Sequence, residues 1–124
     1  MKYFFTLLIV LALIAGCNLQ ENYSMNYAFT DQVVSQTMFT TSTDGFSIRM
    51  PLLHIACDQA VAKATLERTG QHFDLIILDP NEQQDCMRQF SATVTGVLPG
   101  SYTMRVLQRT ERGDVPLYTN TFSF

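Results

Sequence analysis

The chain predicts an all-β fold, an antiparallel β-sandwich of about seven strands behind an apolar N-terminal segment and a short tether. Three observations carry this. From residue 32 onward, apolar residues recur with a period of two, as on half-buried strands. Turn signals built on Gly, Pro, Asn and Asp separate these runs every 8–12 residues. The length left after the N-terminal segment fits one domain and leaves no room for two.

The N-terminal segment comes first. Met1-Lys2-Tyr3 brings one positive charge, and residues 4–16, FFTLLIVLALIAG, carry no charge and one hydroxyl. A basic start, an apolar core and a small-residue ending are the layout of a secretory signal, expected as a helix. The run is too short to span a membrane, which takes about 20 apolar residues. Asn18, Gln20, Glu21 and Asn22 follow it directly.

Ile14-Ala15-Gly16-Cys17 resembles the lipobox of bacterial lipoproteins, an aliphatic residue and two small ones before a cysteine. The resemblance covers about the first 17 residues. It implies a diacylglycerol on the Cys17 sulfur, cleavage just before Cys17, and acylation of the new amine by a fatty acid such as palmitate. Several acyl chains hold firmly, since each buried CH₂ contributes about 0.8 kcal/mol. The resemblance also implies a bacterial cell envelope and periplasmic exposure. Asn18 stands where an Asp favours inner-membrane retention, so the outer membrane is preferred over the inner. The expected layout is a signal peptide over 1–16, a lipidated tether over 17–30 and a sandwich domain over 31–124.

Composition bounds the partners. Without Lys2, seven basic residues face eleven acidic ones, a net charge of −4. No basic cluster exists, which argues against nucleic acid. Acidic charge also argues against electrostatic holding on an anionic lipid surface, so attachment rests on the lipid. With Cys17 assigned to lipid, Cys57 and Cys86 remain. In an oxidising compartment an even pair usually forms a disulfide. Reduced buried thiols, or a metal or redox pair, are the alternatives; no C-x-x-C occurs.

The domain reads as follows. Residues 18–30 are mostly polar with scattered aromatics and no clear period, a tether with room for a short strand at its end. QVVSQTMF, 32–39, reads as a strand, and TTSTDGFS as a turn in which Asp44-Gly45 suits positive φ. Phe46, Ile48, Met50 and Leu52 then share one face. Pro51 cannot donate to a ladder and marks a bulge or an edge. Over 58–69, composition allows a helix capped by Asp58 and Gly70. Ala60, Ala62, Ala64 and Leu66 at a period of two favour a strand, giving a hairpin over 60–78 with HFDLIIL. Residues 81–88 are polar, with room for one or two helical turns. Phe90, Ala92 and Val94 share one face; so do Tyr102, Met104 and Val106, and Tyr118, Phe122 and Phe124.

The stretch GVLPGSYTMRV, 96–106, resembles the E–F corner of immunoglobulin-like and fibronectin-III-like domains, where a Pro-Gly-x-Tyr stretch opens a strand. The resemblance implies that the Tyr102 hydroxyl bonds back to the corner backbone. The chain has no Trp, and its cysteines are not on two facing central strands. Cys57 is expected in the loop before the 60–69 strand and Cys86 in the loop after 72–78, so the bridge reads as a loop clamp. A transthyretin-like sandwich fits equally.

Chemistry is sparse. No nucleophile elbow, Walker loop, dinucleotide fingerprint or metalloprotease helix occurs. His72 and Asp74 share a face of one strand, a placement that suits acid–base or metal work but more often a solvated hairpin face. His54, inside PLLHIAC, reads as partly buried and hydrogen-bonded. Met25, Met38, Met50, Met87 and Met104 do not cluster as copper ligands would. Arg112-Gly113-Asp114 matches an integrin-binding tripeptide, yet Gly-Asp suits a hairpin loop without further reason. No catalytic residue, metal site or cofactor is assigned, and the chain is read as no enzyme. The expected function is an envelope lipoprotein that works through a protein partner, with the strand LYTNTFSF either open to β-augmentation or equally packed within the sheet. The alternative is a binder of a small ligand, metal or glycan at the loop end near Cys57 and Cys86.

Overall fold

The computed structural model describes residues 22–55, 57, 62–78 and 86–124. The signal segment 1–16, Cys17 and the first residues of the tether lie outside the described residues. So do 58–61 and 79–85, including the start of the 58–69 segment and most of the polar stretch 81–88.

Two four-stranded sheets pack face to face. In chain order the strands are β1 (Ser24–Thr30), β2 (Met38–Thr41), β3 (Phe46–Ile55), β4 (Lys63–Thr69), β5 (His72–Leu78), β6 (Cys86–Thr95), β7 (Ser101–Thr110) and β8 (Gly113–Ser123). One sheet has the order β1-β6-β3-β2, the other β4-β5-β7-β8. The fold is therefore the all-β sandwich that the alternation predicts, with eight strands among the described residues.

One pair departs from an antiparallel pattern. β5 and β7 run parallel, with His72 beside Thr103 and Leu78 beside Arg109. The chain leaves β5, crosses to the first sheet as β6, and returns as β7. Two reversals restore the direction of β5, so parallel pairing follows from the crossover.

The inner faces follow the period of two. Phe46, Ile48 and Met50 of β3 meet Phe90, Ala92 and Val94 of β6, and all six are buried. Across the sandwich lie Phe73, Leu75 and Ile77 of β5 and Tyr102, Met104 and Val106 of β7. Aromatic rings join the layers: Phe46 lies 5.6 Å from Phe73 and 5.0 Å from Phe122, centre to centre. Such pairs add stabilisation beyond buried area.

β3 changes phase at Pro51. Register slips between Arg49 and Leu52, so Met50 and Pro51 together oppose one residue of β6. This is the bulge that a proline without an N–H requires. The extra residue turns Leu52 off the inner face, where the simple alternation places it. Leu53 packs against the core and Ile55 is buried instead.

Other boundaries also move. Residues 24–30 are not tether: β1 pairs along its whole length with β6, from Ser24 opposite Thr95 to Thr30 opposite Gln89. The domain thus begins by Ser24, because Met25 and Phe29 pack on the core. The strand expected over 32–39 shrinks to β2, and residues 31–37 are a connection. β2 instead takes Thr40 and Thr41 from the expected turn, where they pair with Ser47 and Phe46. Gly45 has no positive φ. Glycine is required there because a Cβ would collide with the Val94 carbonyl. Lys63–Thr69 is the expected strand rather than a helix, and Gly70 turns it into β5 with φ 60°.

Candidate functional site

The two ends of the sandwich differ. One end gathers Asn22, the β2–β3 turn, the Gly70-Gln71 turn and the Gly96–Gly100 corner; the other gathers the β1–β2 connection, Cys57, Cys86 and the β7–β8 turn.

Tyr102 ties the first end together. Its ring is 3% exposed, and its hydroxyl donates to the Leu98 carbonyl at 2.5 Å. The Val97 N–H donates to the Asp44 carbonyl at 2.8 Å, pinning the corner to the β2–β3 turn. Arg68 lays its guanidinium over the rings of Tyr23, Phe73 and Tyr102, 5.1–5.7 Å from their centres.

A disulfide joins Cys57 and Cys86 at the second end, with Cα atoms 5.0 Å apart. Cys86 is not in a loop. It is the first residue of β6 and faces Ile55 at the end of β3. The bridge therefore closes the end of an existing ladder within one sheet. The alternative ligand site near this bridge falls largely on 58–61 and 79–85, outside the described residues. Among the described residues no group of three or more His, Cys, Asp or Glu could hold a metal ion.

His72 and Asp74 do come together. On the outer face of the second sheet, His72 Nε2 lies 2.8 Å from Asp74 Oδ1. Arg105 on β7 donates from Nε and from an Nη to the two Asp74 oxygens, each at 3.0 Å. The Arg105 hydrogen bonds hold the Asp74 carboxyl below its ordinary value, with His72 adding to the effect against the cost of burial. Both carboxylate oxygens are engaged, so the cluster is a charge-satisfied patch between parallel strands. Arg105 was not singled out from sequence, because the partner depends on which strand lies beside β5.

Arg112-Gly113-Asp114 sits in the β7–β8 hairpin with Gly113 at φ 120°. Arg109 binds both oxygens of Asp114, at 2.9 and 3.2 Å. The carboxylate is thus occupied within the domain. His54 is exposed rather than partly buried, because the Pro51 bulge puts it on the outer face; its carbonyl accepts from Gln108 at 2.9 Å. Met50 and Met104 fill the core, while Met38 and Met87 are exposed.

A shallow trough of about 380 Å³ crosses the outer face of the first sheet, lined by Ser47, Arg49, Ser91 and Thr93 among others. On its floor the Ser47 and Thr93 hydroxyls bond to each other at 3.0 Å.

The free sheet edges are the remaining feature. β2 is four residues long and β4 carries Lys63, Glu67 and Arg68, both common protections against edge pairing. β8 is eleven residues long and forms an outer edge. After Asp114 it holds no charge, and its one proline, Pro116, falls at a register shift near its start. The register shift leaves Leu117 as the extra residue, and Tyr118–Ser123 follows as an uninterrupted, uncharged edge. β1 is also uncharged but shorter than β8. No family model, no curated protein and no solved structure matches the chain.

Proposed function

We propose that this chain is a lipid-anchored protein of the bacterial envelope, on the outer rather than the inner membrane, whose sandwich acts as a protein–protein interaction module. Its partner is another envelope protein, which supplies an extended strand to the free edge of β8. The observation that carries the partner reading is the regular edge from Tyr118 to Ser123, which lacks charge. Main-chain groups on such an edge are a template for an added strand. The lipobox-like Ile14-Ala15-Gly16-Cys17 supports the anchor. The Tyr102–Leu98 bond supports reading 96–106 as an immunoglobulin-like corner.

The test uses full-length protein in bacteria fed labelled palmitate, with a photo-crosslinking side chain at Thr119 or, as a control, at Thr65 on the charged edge. The expected result is label on the parent but not on Cys17→Ala, and one envelope protein crosslinked from Thr119 only. Adding Thr121→Lys should abolish that adduct. Absence of label sinks the anchor; equal adducts from Thr65 and Thr119, or persistence with Thr121→Lys, sink the edge.

A further inference from the structure

We infer that the outer face of the first sheet binds a short oligosaccharide bearing a single carboxylate, with Arg49 holding the carboxylate and the surrounding hydroxyls holding the sugar rings. The site lies on other strands than β8 and needs neither that edge nor the anchor.

Strand register builds the face. Outward side chains line up in rows across all four strands. One row runs Thr40, Ser47, Thr93, Asn26, on β2, β3, β6 and β1 in turn. In the next row Arg49 stands between Met38 and Ser91. Short side chains on the central strands leave the hollow of about 380 Å³ over β2, β3 and β6. A second section of about 230 Å³ shares Ser91 and Thr93 and continues over Asn26 on β1. Together they cross three strand spacings, about 14 Å. The hollow is elongated, and it suits an elongated ligand laid across the strands.

Charge selects the anion. Arg88, Arg105 and Arg109 each pair with an aspartate. Arg49 is exposed and has no ion pair or hydrogen bond among the described residues. Its row and the row beside it hold no acid. A chain of net charge −3 thus keeps an unpaired cation in the middle of a sheet face. One guanidinium balances one negative charge, and its forked N–H groups match the two oxygens of a carboxylate. A second negative charge would meet no cation in these rows.

The hydroxyls select the rest of the ligand. The bond between Ser47 and Thr93 uses one of their two O–H donors. The other donor and the spare lone pairs remain for a ligand. The Ser91 and Thr40 hydroxyls have no partner among the described residues, and Asn26 adds an exposed amide. Such groups both give and accept hydrogen bonds, as a polyhydroxylated ring requires. Arg49 and Ser47 are two residues apart on one face, about 7 Å. A carboxylate on Arg49 therefore sets its ring beside the Ser47–Thr93 pair. The outer face of the second sheet offers no equivalent, because Asp74 and Arg105, and Asp114 and Arg109, satisfy each other there.

The probe is cellobiouronic acid, a disaccharide with one carboxylate. Cellobiose has the same rings without the charge, and acetate has the charge without the rings. Full-length protein in micelles of a nonionic detergent without a sugar headgroup would be titrated with each, and binding followed by saturation-transfer NMR of the ligand. The expected result is saturable binding of the acid. Binding should weaken about tenfold or more for cellobiose, for acetate and for Arg49→Gln, as the loss of a charge-assisted contact or of the ring contacts implies. Ser91→Tyr fills the hollow with Arg49 still in place and should abolish binding. Arg112→Gln, at an exposed cation of the β7–β8 turn, should leave it unchanged. No saturable binding of the acid overturns the inference. So does equal binding of cellobiose or acetate, or binding of the acid that survives Arg49→Gln or Ser91→Tyr.

Discussion

Asp74 on β5 and Arg105 on β7 face each other across the one parallel ladder among the described residues, joined by two N–H···O bonds of 3.0 Å each. The pair sits in a row that continues to Glu67 on β4 and Thr119 on β8. It therefore ties the crossover strand β7 to the hairpin that precedes it. Arg105 holds the folded-state pKa of Asp74 below its ordinary value. The stability this group contributes is complete above its unfolded value, near pH 4, and is lost as pH falls through the lower folded value. Asp74→Asn should flatten the acid limb of the stability–pH curve and leave less stability at pH 7. Urea unfolding at pH 7 and at pH 3 checks this: the variant should differ more from the parent at pH 7. An equal difference at both values would show that the charge is not what matters.

The Tyr102 hydroxyl is a buried donor with a single carbonyl partner, Leu98. Tyr102→Phe keeps the ring packing against Phe73, Phe122 and Phe124 and removes only that bond. The expected loss is about 1–2 kcal/mol, since a carbonyl at the corner is left without its donor. Urea denaturation should show a lower midpoint with an unchanged slope. A changed slope would point to a wider disruption of the corner.

Cys57 and Cys86 lie 29 residues apart in sequence. Closing a loop of that length stabilises the folded chain by about 3–4 kcal/mol in the chain-entropy account. The double substitution Cys57→Ser and Cys86→Ser should lower stability by that order and make it insensitive to reductant. The parent should fall to the variant's level when reduced. β3 and β6 are already paired at this end, so far-ultraviolet circular dichroism should keep its strand character in both.

Gly96 and Gly70 both have positive φ, at 80° and 60°. A Cβ at Gly70 meets open space, whereas one at Gly96 collides with the Asn22 backbone. Gly70→Ala should cost about 1–2 kcal/mol, the strain of a left-handed residue. Gly96→Ala should cost more and loosen the start of β1. Amide exchange tells them apart: protection at Met25 and Asn26 should drop only in Gly96→Ala.

Much of the sandwich was legible because strand alternation is a local property. The inner faces of β6, β7 and β8 follow directly from residues two apart, and the hairpin of β4 and β5 from an apolar period interrupted by Gly70. The disulfide needed only the counting of cysteines once export was assumed. The expected site residues were harder. His72 and Asp74 are neighbours on one strand, so their contact was visible, but its meaning depends on Arg105, 31 positions away in the chain. Gln89 is similar: it lies 1% exposed within β6, with its side-chain amide oxygen taking a bond from the Thr30 hydroxyl of β1. A polar residue buried by a partner strand leaves no mark in its own segment.

By itself the sequence determined most of the extended segments, which side of most strands is apolar, and roughly where turns interrupt them. Only the tertiary structure decided which strands lie side by side. It placed β5 parallel to β7, drew residues 24–30 out of the tether into a sheet, and turned Leu52 outward at the Pro51 bulge. The physical reason is that the period of two arises within a strand, from the backbone alone. Strand order arises from burying two faces against each other, which joins residues far apart in the chain.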